Sequence, residues 1–203
     1  MKSMFHEGSR ALQDRFNTRR LADRIEGRLV HDEIGEGDQR FIESVDMFFL
    51  ATADAEGRPN CSYKGGAPGF VRVVDARTIA FPNYDGNGMY LSMGNVEKNA
   101  HVGLLFIDFE RGSRMRLNGV ASIDETDPLM SDYLEAQFIV RVRVREVFPN
   151  CPRYIHKLQR VEPSAFVPSA ACETPVPNWK RSDWARDALP ENDPARDPSK
   201  PAR

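Results

Sequence analysis

The first part of the chain follows a helical pattern of apolar positions. Between residues 6 and 28, apolar residues recur at spacings of four, five and four, with charged residues between them. They are Leu12, Phe16, Leu21 and Ile25. This spacing predicts one amphipathic helix, or two with a break near Asn17. A further helix is predicted through Phe41 and Ile42 with Asp38 as its N-cap. We expect these helices to cover one end of a barrel.

From residue 47 the pattern changes to short apolar runs separated by turn residues. Strands are predicted at residues 47–53, 59–64, 70–74, 78–81, 101–107 and 115–122. The string from Pro82 to Gly88 is rich in turn formers and is predicted to be a loop. Residues 89–100 are predicted to form a helix, and the apolar strand 101–107 is expected to be buried on both faces. Asp127 and Pro128 indicate the start of a helix that runs to Leu134.

Residues 138–148 hold the clearest period-two pattern in the chain. Val140, Val142 and Val144 share one strand face, and Arg141, Arg143 and Arg145 share the other. The basic face is either solvated, the wall of an anionic pocket or a subunit contact. A short helix is predicted at 151–158, and disorder from Trp179 onward.

Six or seven short strands with few helices between them favour an antiparallel barrel over a doubly wound sheet. The predicted fold class is mainly β, a split β-barrel with Greek-key-like order and flanking α-helices. We divide the chain into an N-terminal helical segment (1–44), the barrel (45–160) and an extended, partly disordered tail (161–203).

Composition excludes several classes of function. The 203 residues are 40% hydrophobic and 29% charged, with a net charge of -2, so nothing in the bulk requires a nucleic acid or an anionic membrane. The apolar run 47–53 is too short to span a bilayer, and the start of the chain is polar, so we expect a cytoplasmic protein. Three cysteines and four histidines are scattered without a CxxC pair, which predicts no metal site.

Basic residues and glycines are concentrated where a phosphate could be bound. Lys64 stands before two glycines at a strand end, and Arg72 interrupts the next apolar strand. The string 85–88 is either an ordinary turn or a backbone nest, and Arg114 and Arg116 share one strand face. No Walker lysine, GxGxxG turn or GxSxG elbow is present. A phosphate-bearing cofactor is therefore the expected ligand.

Several motifs together resemble a known family. SYKGGAPGFVRV (62–73), PNYDGNG (82–88), GLLFIDF (103–109) and RMRLNG (114–119) are similar to the pyridoxamine 5'-phosphate oxidase-like superfamily, and within it to the predicted flavin-nucleotide-binding proteins. HEGSRALQDRF (6–16) and NCPRYIHK (150–157) extend the resemblance to about residues 5–160. The resemblance implies a split barrel that forms a homodimer, with FMN held at the subunit interface.

The resemblance also implies roles for individual residues. By position, the cofactor-binding set is Ser62, Lys64 and Arg72 for the phosphate, then Pro82, Asn83, Asn87 and Gly88 from the following loop, with Phe81 and Arg116 near the flavin ring. The ring would lie along the backbone near Phe81. Arg116 would reach the cleft from the other subunit and stabilise the anionic reduced flavin.

Two departures from the family pattern bear on the reaction. The RxVLLK pattern of the true oxidase is not kept, and NWKRSDWARDALP (178–190) does not match its C-terminal W…RLxP segment. Pyridoxamine 5'-phosphate oxidation is therefore not expected, and no catalytic residue can be assigned. The predicted function is an FMN-dependent oxidoreductase acting on a small substrate, with NAD(P)H as a candidate electron donor. The alternative is a non-catalytic flavin-binding or electron-carrier module, and related barrels also hold FAD, a deazaflavin or haem.

Overall fold

A computed structural model describes residues 3–203. Its four α-helices are α1 (Glu7–Arg15), α2 (Arg19–Leu29), α3 (Glu36–Ser44) and α4 (Leu91–Lys98). Its strands are β1 (Met47–Ala53), β2 (Pro59–Gly65), β3 (Arg72–Asp75), β4 (Thr78–Tyr84), β5 (His101–Asp108), β6 (Ser113–Asp124) and β7 (Ala136–Asn150). The seven strands form one sheet in the order β2-β1-β5-β6-β7-β4-β3, and every neighbouring pair is antiparallel.

The sheet curls around an aromatic core. Phe48 of β1 and Phe81 of β4 lie with ring centroids 5.0 Å apart, although β5, β6 and β7 separate their strands in the sheet. Phe70 and Phe106 pack against the same Phe48 ring. Because β2 and β3 are the two end strands, the sheet closes by side-chain packing and leaves a split between them. The predicted mainly β, split-barrel fold is confirmed.

The N-terminal helices form as the sequence predicts, with the break at Asn17, which adopts a left-handed φ of 53°. Their apolar residues, however, remain exposed: Phe16 is 67% exposed and Leu21 58%. These two helices therefore do not cover the barrel within residues 3–203. The barrel-covering helix is α3, whose Ile42 is fully buried. It begins after Gly35, and Asp38 is its third residue, where the carboxylate accepts from the Gly35 N–H at 3.0 Å. The N-cap prediction was thus wrong by three positions.

Strand β4 is longer than predicted. Pro82, Asn83 and Tyr84 continue the ladder with β7, whereas the sequence predicted that they belong to a loop. Proline is tolerated here because β3 pairs with β4 only as far as Ala80, so one edge of β4 is unpaired beyond that point. Because the strand extends past Phe81, Asn83 is held in the sheet at the edge of the cavity described below.

Two further predictions were wrong. Strand β5 is not buried on both faces, since Val102, Leu104 and Phe106 are buried while the residues between them are partly exposed. Residues 151–158 form no helix, because Tyr154 adopts a φ of 70°, which breaks a right-handed helix. The helix expected after Asp127 is a short 3₁₀ helix, Pro128–Asp132, and Asp127 caps it by accepting from the Leu129 N–H.

The C-terminal residues fold back on themselves through short elements. Two 3₁₀ helices span Asn178–Arg181 and Pro194–Arg196, and Val176 forms a parallel bridge with Ala202. The division into helical segment, barrel and tail stays a prediction, and residues 1 and 2 of its first part lie outside the described residues. No helix in residues 3–203 has the length and apolar character needed to cross a membrane.

Candidate functional site

A polar cavity of about 390 Å³ lies between β2, the loop after β4 and the start of α4. Strand β2 contributes one face of its alternating side chains, because residues two apart point the same way. The cavity is lined by Asn60, Cys61, Ser62, Lys64, Asn83, Tyr84, Gly86, Asn87, Gly88, Met89, Tyr90, Leu91, Ser92 and Met93.

Hydrogen bonds connect β2 to the first turn of α4. The hydroxyl of Ser92 lies 2.9 Å from the Ser62 hydroxyl and 3.1 Å from Oδ1 of Asn60. Ser92 is buried, so these bonds fix the position of the helix start relative to the strand.

A second network fixes Asn83 at the opposite wall. Its Nδ2 donates to Oε1 of Gln137 at 3.0 Å, and the hydroxyl of Tyr90 donates to the same oxygen at 3.0 Å. Gln137 belongs to β7, which neighbours β4 in the sheet. Asn83 and Tyr90 are therefore held together by a residue on a third element.

Helix α4 starts at the cavity without a side-chain cap. Its N-cap residue, Tyr90, adopts a left-handed φ of 48° and no side chain of the described residues accepts from the first turn. The N–H groups there carry the positive end of the helix dipole and can donate to an anion. Gly88, at a φ of 74°, gives the chain the turn that leads into this helix.

Lys64 supplies the positive charge of the cavity. Its side chain is partly buried, and that burial lowers the pKa of the amine below its ordinary value. Within residues 3–203 the amine forms no ion pair and no hydrogen bond with another side chain. A partly buried cation without a countercharge indicates a site for an anionic ligand.

A larger cavity of about 1010 Å³ adjoins the first and shares Lys64, Asn83, Tyr84 and Gly86 with it. Its walls combine apolar side chains, such as Met47 and Phe70, with residues 158–167 of the later chain. The two cavities form one cleft. The end formed by the smaller cavity, where the hydroxyl and amide groups of β2 and the start of α4 lie, is called the polar end.

The structure brings together six of the nine residues that the resemblance implied. Ser62, Lys64, Asn83, Asn87 and Gly88 line the smaller cavity, and Pro82 lines the larger one. The roles assigned to these residues stay predictions.

The other three residues line neither cavity. Arg72 pairs with Asp132 at 2.5 Å and its guanidinium lies 4.9 Å from the centre of the Tyr133 ring. The hydrogen bond to Asp132 raises the pKa of Arg72, and burial raises the pKa of Tyr133 to about 12. Phe81 points into the core, and Arg116 is exposed on β6.

The sequence reasoning missed the residues whose hydrogen bonds connect the elements of the site: Asn60, Tyr90, Ser92 and Gln137. Asn60 and Ser92 are joined by a hydrogen bond between residues far apart in the chain, and no spacing in the sequence indicates that contact. The α4 start could have been found, because a glycine-rich loop that leads into a helix is a recognised anion-binding arrangement. The weak helical pattern around Gly94 and Asn95 obscured it.

Three solved structures illustrate the overall likeness. A pyridoxamine 5'-phosphate oxidase, described as putative, from Lactobacillus delbrueckii is 22% identical, with a TM-score of 0.47, over 58% of this chain and 95% of that one. An FMN-binding protein from Syntrophomonas wolfei is 11% identical, with a TM-score of 0.45, over 68% and 96%. HutZ, the heme storage protein from Vibrio cholerae, is 18% identical, with a TM-score of 0.42, over 57% and 93%.

No curated protein matches the chain. The family is shown instead by its sequence model, described as pyridoxamine 5'-phosphate oxidase, which matches residues 34–160. That match covers more than half of the 203 residues and includes every strand of the sheet. The chain therefore belongs to the pyridoxamine 5'-phosphate oxidase family.

Proposed function

We propose that the chain binds FMN and acts as a flavin-dependent oxidoreductase on a small substrate. The observation that carries this proposal is the unpaired amine of Lys64, partly buried in a cavity beside the uncapped start of α4. Family membership supports the phosphate of a flavin nucleotide as this anion.

The polar end of the cleft fits a phosphate dianion. Lys64 provides a charge-assisted donor, the first turn of α4 provides backbone N–H groups, and Ser62 provides a hydroxyl that accepts from Ser92 and can donate its own proton. The backbone of β2 is held by strand pairing and Ser62 by its hydrogen bond with Ser92, so the Lys64 amine is the main group that binding would order.

The adjoining cavity is large enough for the remainder of the cofactor. It shares its polar corner with the smaller cavity at Lys64 and Asn83, and its apolar wall includes Met47, Phe70 and Pro82. A flavin ring needs an apolar slot with a few polar partners, and the amide of Asn83 is oriented by Gln137. A bound flavin would supply hydride or single-electron transfer, while these residues bind and orient it and exclude water.

A non-catalytic flavin-binding or electron-carrier module is the second candidate. Four of the five acidic residues that line the larger cavity accept from protein donors: Asp46 from Arg160, Asp85 from Lys180, Asp108 from the Arg111 N–H and Glu110 from the Arg160 N–H. The fifth, Glu162, lies 3.9 Å from the guanidinium of Arg203. Carboxylates engaged in this way are poor general bases. The arrangement is thus compatible with electron transfer that needs no protein acid or base.

Flavin is favoured over haem by the residues that line the cleft. None of the four histidines of the chain lines either cavity. Imidazole is the commonest protein ligand to haem iron, whereas the features that are present here, an amine and helix N–H groups, suit a phosphate.

The test compares FMN with riboflavin, which lacks the phosphate. Wild-type protein is expected to bind FMN much more tightly than riboflavin. Lys64→Ala should weaken FMN binding by about 1–3 kcal/mol through the loss of a charged hydrogen bond, and should leave riboflavin binding nearly unchanged. Lys98→Ala, at the exposed C-terminal end of the same α4, is the matched control and should bind FMN like the wild type.

Equal affinity for FMN and riboflavin, or Lys64→Ala binding FMN as the wild type does, would contradict the phosphate site. Haem binding with no flavin binding would contradict the assignment of FMN as the cofactor. Anaerobic mixing of the FMN-loaded protein with NADH or NADPH separates the two candidates, since bleaching faster than that of free FMN supports an oxidoreductase.

A further inference from the structure

A lysine of the C-terminal tail lies buried between two carboxylates. Nζ of Lys180 is 2.5 Å from Oδ2 of Asp85 and 2.8 Å from Oδ2 of Asp193. The side chains of Lys180 and Asp193 are only 4% and 5% exposed, while that of Asp85 is 48% exposed.

The two carboxylates come from different parts of the chain. Asp193 belongs to the tail itself, where it also accepts from the Ala195 N–H at 2.9 Å and caps a 3₁₀ helix. Asp85 is the first residue after β4 and opens the loop 85–88, which lines the smaller cavity through Gly86, Asn87 and Gly88. Lys180 therefore joins the tail to the loop at the polar end of the cleft.

The loop has few other restraints. Among the described residues, the side-chain hydrogen bonds of positions 85–88 are the one from Lys180 to Asp85 and the one from the Met89 N–H to Asn87. The second bond joins neighbours and orders the loop only locally. The contact with Lys180 is the one that ties the loop to a distant element.

The charges favour this contact. Burial alone would lower the pKa of Lys180, but the hydrogen bonds to Asp193 and Asp85 outweigh it and raise the pKa above its ordinary value. The amine therefore stays charged and attracts both carboxylates. Asp193 is buried and fixed within the tail, so Asp85, on the exposed loop, is the partner whose position depends on the contact.

We propose that Lys180 is a positioning residue that acts through Asp85, holding loop 85–88 in the conformation that receives the cofactor phosphate. The tail is thereby part of the cofactor site. The inference rests on the proposed FMN binding, because its functional consequence is an affinity for FMN. Residues 164–167, which line the larger cavity, place a second stretch of the later chain beside the same cleft.

Asp85→Asn is the most informative variant. It removes the ion pair with Lys180 and leaves at most a weaker, neutral hydrogen bond to the loop, while the buried Lys180–Asp193 pair stays intact and the tail retains its fold. It also removes a negative charge near the phosphate site, which by electrostatics alone would strengthen FMN binding. Positioning predicts the opposite, because a loop that samples other conformations lowers the binding-competent fraction and raises the apparent Kd in proportion.

We expect Asp85→Asn to weaken FMN binding by roughly 3- to 30-fold, in proportion to the lost competent fraction. In the cofactor-free protein, hydrogen exchange should accelerate at residues 84–89 and remain as in the wild type in β5, β6 and β7. Lys200→Met is the matched control, because it removes a tail ion pair with Glu173 at 2.8 Å that does not involve the loop. It should change neither readout.

The possible failures are distinguishable. If the wild type does not bind FMN, the proposed function fails, and the exchange data on the cofactor-free protein still test the tie between tail and loop. If the wild type binds FMN and Asp85→Asn binds it equally well or more tightly, the positioning role is overturned. Exchange that accelerates throughout the barrel would overturn it too, because it would show a general loss of stability.

Discussion

At the scale of single residues, Lys64 is the most informative position in the molecule. An amine that is partly buried without an anionic partner opposes folding, since its charged form loses hydration and gains no compensating contact. Such a group is retained where a ligand supplies the missing charge. Arg72 differs, because Asp132 already neutralises it.

The lowered pKa of Lys64 predicts a pH dependence of FMN binding. Only the charged amine attracts the phosphate, so affinity should fall as the pH rises through the lowered pKa, before an exposed lysine would lose its proton. Lys64→Arg should lack this alkaline decline, because a guanidinium keeps its proton above pH of about 12. FMN titrations of both proteins between about pH 7 and pH 10 check this, since the titration of the flavin itself is common to both.

The lowered pKa of Lys64 also predicts how the stability of the cofactor-free protein depends on pH. Folding lowers the pKa of Lys64, so between that pKa and the unfolded value of about 10.4 the unfolded chain binds more protons. The contribution of Lys64 to the free energy of unfolding should therefore rise with pH in this window. The difference between wild type and Lys64→Met in urea unfolding isolates this contribution, and a difference that falls with pH would contradict the assignment.

At the scale of elements, the site combines β2, which carries Lys64, with three successive parts of the chain: β4, residues 85–88 and α4. The sequence predicted the start of β4 from its apolar run, and a helix at residues 89–100 although Gly94 and Asn95 weaken the helical pattern there. It placed the end of β4 at Phe81 and not at Tyr84, since Pro82 and Asn83 are turn formers by local preference. Pairing with β7 overrides that preference, and neither the pairing nor the role of Gln137 is visible in local sequence.

One glycine of β6 lies where the pairing with β7 leaves no room for a side chain. Gly119 lies at a register shift opposite β7, where an added Cβ would overlap the carbonyl oxygen of Arg143 and approach Cγ1 of Val142 at 2.6 Å. Backbone cannot move aside as a flexible side chain can. Gly119→Ala should therefore lower the free energy of unfolding by about 1–3 kcal/mol, as measured by urea denaturation.

Gly103→Ala in the neighbouring β5 is the control for that experiment. Its added Cβ would lie 3.3 Å from Oδ1 of Asn118, the end of a side chain that can rotate away. We expect a loss below about 1 kcal/mol, within the usual range for a tolerated surface substitution. Equal losses at the two positions would show that the bulge does not depend on glycine.

At the scale of the whole molecule, the surface formed by α1 and α2 exposes many apolar side chains, and no other part of the same chain covers them within residues 3–203. Helices α1 and α2 expose the apolar residues that their spacing had assigned to packing: Leu12, Phe16, Leu21, Ile25 and Leu29, at 37–67% exposure. Neither helix contains a buried residue. Arg116, for which the family resemblance implied a role across a subunit boundary, is likewise exposed on β6. A second copy of this chain is the occupant that we propose for the helical surface.

The dimer prediction can be tested by sedimentation equilibrium on the full chain at micromolar concentrations. Wild-type protein is expected to be a dimer because burying several large apolar side chains from each copy contributes about 1.5–3 kcal/mol per side chain. Phe16→Ser combined with Leu21→Ser removes the two most exposed of these residues and should yield a monomer with unchanged helix content by circular dichroism. Leu134→Ser, at 54% exposure outside these helices and both cavities, should remain a dimer. A wild-type monomer would contradict the predicted dimer. A double variant that still dimerises fully would show that α1 and α2 do not form its interface.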